Sequence, residues 1–137
     1  NKKPTLGICF GHQLLGFSFG AMVGRIKEPN TNDEWNKTID MEFNKDFPLL
    51  KDTGGLYLQK VKVEEVHREK IIPTEEFRIH FENYASTKIC EIQAMKHKQN
   101  PIYGVQFHPD TTKKECEESS SLILLNFLKI IENSKNK

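Results

Sequence analysis

Thr5-Leu6-Gly7-Ile8-Cys9-Phe10-Gly11-His12-Gln13-Leu14-Leu15 is the stretch on which the reading of this chain turns. Thr5–Ile8 is a short apolar run and predicts a strand. From residue 10 the period changes. Phe10, Leu14 and Phe17, then Leu15 and Phe19, fall at helical spacings, and Gly20 stands where a helix ends on a glycine. A cysteine framed by Gly7 and Gly11 at a strand-to-helix turn has the form of a nucleophile elbow. Glycines are expected at both flanks because the neighbouring backbones approach closely. Such a turn exposes the thiol at the strand's C-terminal edge and aims the first helical N–H groups at it. A lowered thiol pKa is expected, with the Phe10 N–H as first oxyanion donor. Free cysteines are among the most buried residues; the glycine frame and the change of period favour a reactive Cys9 over a core one.

Working outward, Ala21–Ile26 predicts a second strand and residues 27–37 a polar connection. Thr38–Phe43 alternates as a half-buried strand, and Asp46–Leu50 predicts a helical turn. Leu56–Val66 carries two alternating sets, as one bulged strand or a hairpin. Phe77, Ile79 and Phe81 alternate as a further strand, which turns His80 to solvent. Cys90–Met95 and Ile102–Phe107 predict a hairpin across the polar loop Lys96–Pro101, in which His97 lies. Ser119–Ile131 predicts a closing helix with Glu115, Glu117 and Glu118 near its start, where the helix dipole favours them. Residues 132–137 are expected to be a frayed tail.

A length of 137 residues fits one domain. Twenty basic residues against nineteen acidic leave a net charge of +1, so no long-range field draws in nucleic acid or an acidic membrane. The longest apolar run, Leu122–Leu125, is far below the roughly 20 residues of a membrane span. Cys9, Cys90 and Cys116 are odd in number and widely spaced, which fits a reducing, cytoplasmic setting better than a disulfide framework. No Cys and His spacing matches a zinc site, and no glycine loop with Lys-Ser/Thr offers a nucleotide site, so neither metal nor cofactor is expected. The chain opens almost directly on the elbow strand, and its true beginning is expected upstream.

A cysteine nucleophile needs a base, and the base an orienter. His108 ends the strand Ile102–Phe107 and is followed by Pro109, which stops the ladder, and by Asp110, which is placed to accept from the second ring nitrogen and hold the tautomer. On spacing alone, a histidine at a strand end is more often a surface residue. His12 lies one turn along the elbow helix, where it is expected to cover the surface.

The two motifs together, Gly7-Ile8-Cys9-Phe10-Gly11-His12-Gln13-Leu14-Leu15 and Tyr103-Gly104-Val105-Gln106-Phe107-His108-Pro109-Asp110, resemble the class I (triad) glutamine amidotransferase family. Val23-Gly24-Arg25 and Val66-His67-Arg68-Glu69 match in patches between them. The resemblance implies an α/β fold, an open parallel or mixed sheet with flanking helices in three flavodoxin-like layers, of which residues 1–137 form the C-terminal two-thirds of one domain. It implies a glutaminase with Cys9 as nucleophile, His108 as base and then acid, and Asp110 as orienter. Gln13 matches a position that helps hold the glutamine substrate, and Val66-His67 one whose backbone grips its amino-acid end; a structural role for His67 stands equally. Two departures follow. The family usually has Glu where this chain has Asp110, about 1.5 Å shorter in reach. Members also carry strands before the elbow and a glycine-rich loop that supplies a second oxyanion N–H, so a domain incomplete at its N-terminus is expected.

Within the family, Ala94-Met95-Lys96-His97 and Pro101-Ile102-Tyr103-Gly104-Val105 are similar to the glutaminase subunits of GMP synthetases. Phe10-Gly11-His12 with Val23-Gly24-Arg25, Trp35 and Val66-His67-Arg68-Glu69 are closer to stand-alone members such as gamma-glutamyl peptidases. The expected partner is an ATP-dependent synthetase domain or subunit that takes the ammonia. The alternatives are a stand-alone gamma-glutamyl hydrolase, or a non-catalytic interaction domain of the same fold.

Overall fold

The computed structural model describes residues 3–26 and 35–136; most of the polar connection expected over 27–37 lies outside them. In chain order come strand β1 (Thr5–Ile8), helix α1 (Phe10–Ser18), β2 (Met22–Arg25), β3 (Trp35–Glu42), β4 (Lys60–Val66), β5 (Glu69–Ile72), α2 (Glu75–His80), β6 (Phe81–Thr87), β7 (Cys90–His97), β8 (Ile102–Val105) and α3 (Glu117–Lys135). Four strands form the central sheet in the order β1-β8-β7-β6. β1 runs parallel to β8 with Ile8 opposite Val105, and β8, β7 and β6 are joined antiparallel. Two antiparallel ribbons, β2–β5 and β3–β4, stand beside it.

The layers follow from the two apolar clusters. On one face Tyr103, Val105, Ala94 and Tyr84 pack with Met41, Val61 and Val63 of the β3–β4 ribbon and with Ile123 and Phe127 of α3. On the other, Ile92 and Met95 pack with Ile71 of β5, Phe77 of α2, and Leu15 and Phe19 of α1 and its exit. The expected three-layer α/β architecture is what forms. The sheet is mixed, and the parallel β1–β8 pair is what matters for the site, because it brings two strand C-termini side by side.

Several local expectations are corrected. Phe77–His80 is helix, not strand, and Phe81 opens β6. Thr74 caps the helix, its hydroxyl accepting from the Phe77 N–H at 3.1 Å, with Glu75 and Glu76 in the first turn. Phe77 and Phe81 are buried while Ile79 is 69% exposed, so the buried pair obeys the i, i+4 spacing of a helix as well as the period of a strand. His80, expected to face solvent, is half-buried against Phe19, ring centroids 5.2 Å apart. His97 is the buried last residue of β7 rather than a loop residue, and its Nδ1 accepts the N–H groups of Gln99 and Asn100 at 3.1 Å each. α3 continues to Lys135, so its last turn occupies the segment expected to fray.

The inner face of α1 also differs from the apolar reading. Phe10, Leu14 and Phe17 are exposed, whereas His12, Gln13 and Gly16 are buried. The elbow glycines are not equivalent either. A Cβ on Gly7 would come within 2.7 Å of the Gly11 backbone, where α1 crosses β1, but a Cβ on Gly11 would meet open space. Gly7→Ala is therefore expected to cost about 1–3 kcal/mol, since backbone cannot step aside as a side chain can. Gly11→Ala is expected to be neutral or to stabilise by up to about 1 kcal/mol. Paired urea titrations of the two variants check the asymmetry.

Candidate active site

The first element of the site is the bend. Cys9 carries φ 53° and ψ −102°, a left-handed conformation that costs a side-chain-bearing residue on the order of 1–3 kcal/mol. It is held there from both sides. The Cys9 N–H donates to the Val105 carbonyl at 2.9 Å, one step beyond the β1–β8 ladder, and the Cys9 carbonyl accepts from the Gln13 N–H at 3.1 Å, opening α1. The thiol is half-buried. It donates to the Val66 carbonyl at 3.6 Å and accepts from the Gln106 side-chain amide at 3.6 Å.

The expected lowering of the thiol pKa does not result. Burial pushes the Cys9 thiol above its ordinary value, and the Glu65 and Asp110 carboxylates push the same way; hydrogen bonds from the Phe10 N–H and Gln106 pull it down but do not win. The Phe10 N–H is thus aimed at the sulfur as expected, while the Phe10 ring is exposed. At rest the group is a neutral thiol, in keeping with its role as donor to Val66.

The second motif arrives at the same end of the sheet. β8 ends at Val105, the residue that binds the Cys9 N–H, and His108 follows three residues on. The end of β4 carries both parts. Val66 takes the Cys9 thiol, and the Glu64 carbonyl accepts the His108 N–H at 2.9 Å. Asp110 reaches His108 Nδ1 at 3.1 Å because the chain turns back at once, the Thr111 N–H donating to the His108 carbonyl at 3.2 Å. The turn compensates for the shorter side chain. Beside them Lys113 pairs with Glu64 at 2.9 Å and holds that carboxyl below the usual range.

Beneath the thiol lies a layer of buried polar groups. Gln13 donates from Nε2 to the Glu69 carbonyl at 3.0 Å and to Gln106 Oε1 at 3.3 Å. His67 faces the Glu69 carbonyl with Nδ1 at 2.8 Å and the Glu65 carboxylate with Nε2 at 2.8 Å. Glu65 and Gln106 are fully buried, and neither was singled out from the sequence. For Glu65 a signal existed: Val61, Val63, Glu65 and His67 share one parity, so the alternation that buries the valines buries the carboxylate too. His12, expected on the surface, is fully buried, with Nε2 donating to the Ile92 carbonyl at 2.9 Å and Nδ1 lying over Gly104, where a Cβ would clash at 2.5 Å. Among the described residues no His, Cys, Asp and Glu gather as a metal site, and no helix is long and apolar enough to cross a membrane.

A cysteine at a strained bend at the head of a helix, with a histidine–carboxylate pair following the end of the neighbouring parallel strand, is an arrangement that cysteine-type acyl transfer on an α/β scaffold would require. Residues 1–129 match the family model for glutamine amidotransferase class-I, and the chain belongs to that family. It is 34% identical over 132 residues to a glutamine-hydrolyzing GMP synthase subunit of Methanococcus aeolicus, covering 95% of this chain and 61% of that protein. The protein of the same name from Pyrococcus abyssi is 37% identical over 127 residues, covering 93% and 60%. A crystal structure of a candidate GMP synthase subunit from Thermoplasma acidophilum superposes with a TM-score of 0.78 at 31% identity, over 99% of this chain and 61% of that one. The chain therefore spans about three-fifths of the length of the relatives it matches.

Burial lowers the His12 pKa from 6.5 to about 4, so unfolding takes up a proton between those values and stability falls as pH drops from 6.5 toward 4. The wild type is expected to lose about 2 kcal/mol more than His12→Gln between pH 7 and pH 5, read as the change in urea midpoint. At the bend, Cys9→Gly is expected to melt above Cys9→Ala, by roughly 1 kcal/mol at the transition, because only the alanine keeps the left-handed strain.

Proposed function

We propose that this chain hydrolyses the side-chain amide of glutamine through a thioester on Cys9 and passes the ammonia to an ATP-dependent synthetase partner. The observation that carries the reading is the parallel pairing of β1 with β8, which delivers Cys9 and His108 to one end of the sheet. The names of its GMP synthase relatives support the substrate and the partner.

The chemistry follows from the protonation state of the thiol. Because Cys9 is neutral at rest, its proton must leave as sulfur attacks the γ-carbonyl carbon. His108 takes that proton on Nε2, since Nδ1 is held by Asp110, and Asp110 stabilises the imidazolium that forms. The Phe10 N–H, already aimed at the sulfur, meets the developing oxyanion. The C–N bond then breaks, and the leaving nitrogen collects the proton from His108 and departs as ammonia. Water, deprotonated by the same imidazole, hydrolyses the γ-glutamyl thioester to glutamate and returns the thiol. Gln13 has its amide nitrogen committed to Glu69 and Gln106, so its part in holding substrate falls to the carbonyl oxygen. The Val66 carbonyl, which takes the Cys9 thiol at rest, keeps a second lone pair for the amino-acid end, and His67 fixes that stretch of backbone.

Ammonia release from glutamine is the direct test. Cys9→Ala and His108→Ala are each expected to lose about 10⁴-fold or fall to background. Asp110→Asn is expected to lose less, about 10–100-fold, because an exposed carboxylate shares its role with solvent. Equal ammonia release from the wild type and Cys9→Ala overturns the reading. Turnover of γ-glutamyl peptides in preference to glutamine replaces the synthetase partner with a stand-alone hydrolase.

A further inference from the structure

The amide of Gln106 ends a continuous hydrogen-bonded line whose direction can be fixed by chemistry alone. The Glu69 carbonyl can only accept. It faces the Gln13 side-chain amide at 3.0 Å, so the atom there must be Nε2. The same nitrogen meets the Gln106 amide at 3.3 Å, which makes the facing atom Oε1. Gln106 must then turn its own Nε2 toward the remaining neighbour, Cys9 Sγ, at 3.6 Å. The Glu69 carbonyl also receives His67 Nδ1 at 2.8 Å, and His67 Nε2 sits 2.8 Å from the Glu65 carboxylate.

Two donors thus meet head to head on one carbonyl oxygen. No proton can be handed from His67 to Gln13 across an atom that carries none, so the line cannot act as a relay from Glu65 to the sulfur. What it can do is hold an orientation. Gln106 is fully buried, its backbone N–H is tied to the Gln93 carbonyl at 2.8 Å, and both ends of its amide are engaged by Gln13 and Cys9. An N–H donor to sulfur favours the thiolate over the thiol, whereas a carbonyl oxygen turned the other way would repel it.

We infer that Gln106 is a positioning residue for the nucleophile, its amide locked by Gln13 with N–H toward Cys9 so that it steadies the sulfur as negative charge develops there. The inference rests on Cys9 being the nucleophile, and deepens that reading by naming a sulfur-directed donor besides the Phe10 N–H. The opposing groups are the Glu65 and Asp110 carboxylates, which act on Cys9 in the other direction, with His108 supplied from the end of β8.

The test is the pH dependence of Cys9 alkylation by iodoacetamide, followed by mass spectrometry at each cysteine; Cys90 and Cys116 are buried. It needs no glutamine turnover, so its failure and the failure of the glutaminase reading are distinguishable. In Gln106→Met, which keeps the volume and removes the donor, the midpoint is expected to rise by about one pH unit. Gln106→Glu is expected to raise it further, by placing a carboxylate beside the sulfur. Gln13→Met, which leaves the donor but frees its orientation, is expected to give a smaller rise in the same direction. In the glutaminase assay Gln106→Met is expected to lower kcat about tenfold with KM unchanged. Should Gln106→Met fail to fold, the Gln13→Met profile decides alone. An alkylation midpoint unmoved in the folded variants overturns the inference and leaves Gln106 a packing residue.

Discussion

One backbone hydrogen bond sets the geometry of the site: the Cys9 N–H to the Val105 carbonyl at 2.9 Å. It extends the parallel β1–β8 ladder by a single residue, past the point where the β1 backbone has already left the extended region. The bond therefore ties a left-handed residue to a regular strand. Without it, Cys9 would relax toward a conformation that lowers the strain, and the first turn of α1 would swing with it. Because the anchor is Val105, the same bond fixes the distance along the chain to Gln106 and His108. Sulfur, donor amide and imidazole are thus placed by one register, not by three independent loops.

The cost of the arrangement is a polar layer in the middle of the protein. Glu65, His67, Gln13, Gln93, Gln106 and His12 are all buried; Glu65 falls on the inward alternation of β4, and Gln13 and His12 on the inner stripe of α1, where apolar side chains would otherwise stand. Each such group, left without a partner, costs about 1–3 kcal/mol. What keeps the cost down is that partners are already in place, partly strand carbonyls such as those of Glu69 and Ile92 and partly buried side chains, Gln106 for Gln13 and Glu65 for His67. The layer stands between two apolar clusters, which supply the burial that holds the sheet together. Specific polar groups can then be set under the thiol without depending on their own net contribution to stability.

Much of this was legible in the sequence, for identifiable reasons. The elbow was readable because a glycine frame and a change of hydrophobic period coincide within a few residues. His108 and Asp110 were readable as a pair because they flank Pro109, although β8 ends at Val105 and not at Phe107 as the alternation predicted. α2 was missed because Phe77 and Phe81 satisfy both periods, although Pro73-Thr74-Glu75-Glu76 carried a cap and an acidic first turn. His12 was placed on the surface and His97 in a polar loop because polarity stood in for exposure. Neither ring is buried for its charge: one is tucked over Gly104, the other closes a hairpin loop with its lone pair. Gln106 gave no local signal at all. Its role depends on Gln13, more than ninety residues away, and on a carbonyl that every residue possesses.

The raised thiol pKa changes how the site must work. A preformed thiolate would lower the barrier to attack but would also meet every electrophile that reaches the cleft. A neutral thiol reacts poorly with oxidants and alkylating agents. Each tenfold reduction in thiolate population corresponds to about 1.4 kcal/mol; in the proposed reaction this would be recovered in the transition state, where His108 would take the proton and N–H donors would face the new charge. Those donors are fixed before substrate arrives: Phe10 by the helix start and Gln106 by Gln13. They need no reorganisation when the sulfur becomes charged. Under the proposed reaction, burial and the nearby carboxylates hold the Cys9 thiol neutral, and the groups that would reverse this are already placed for the moment the proton has somewhere to go.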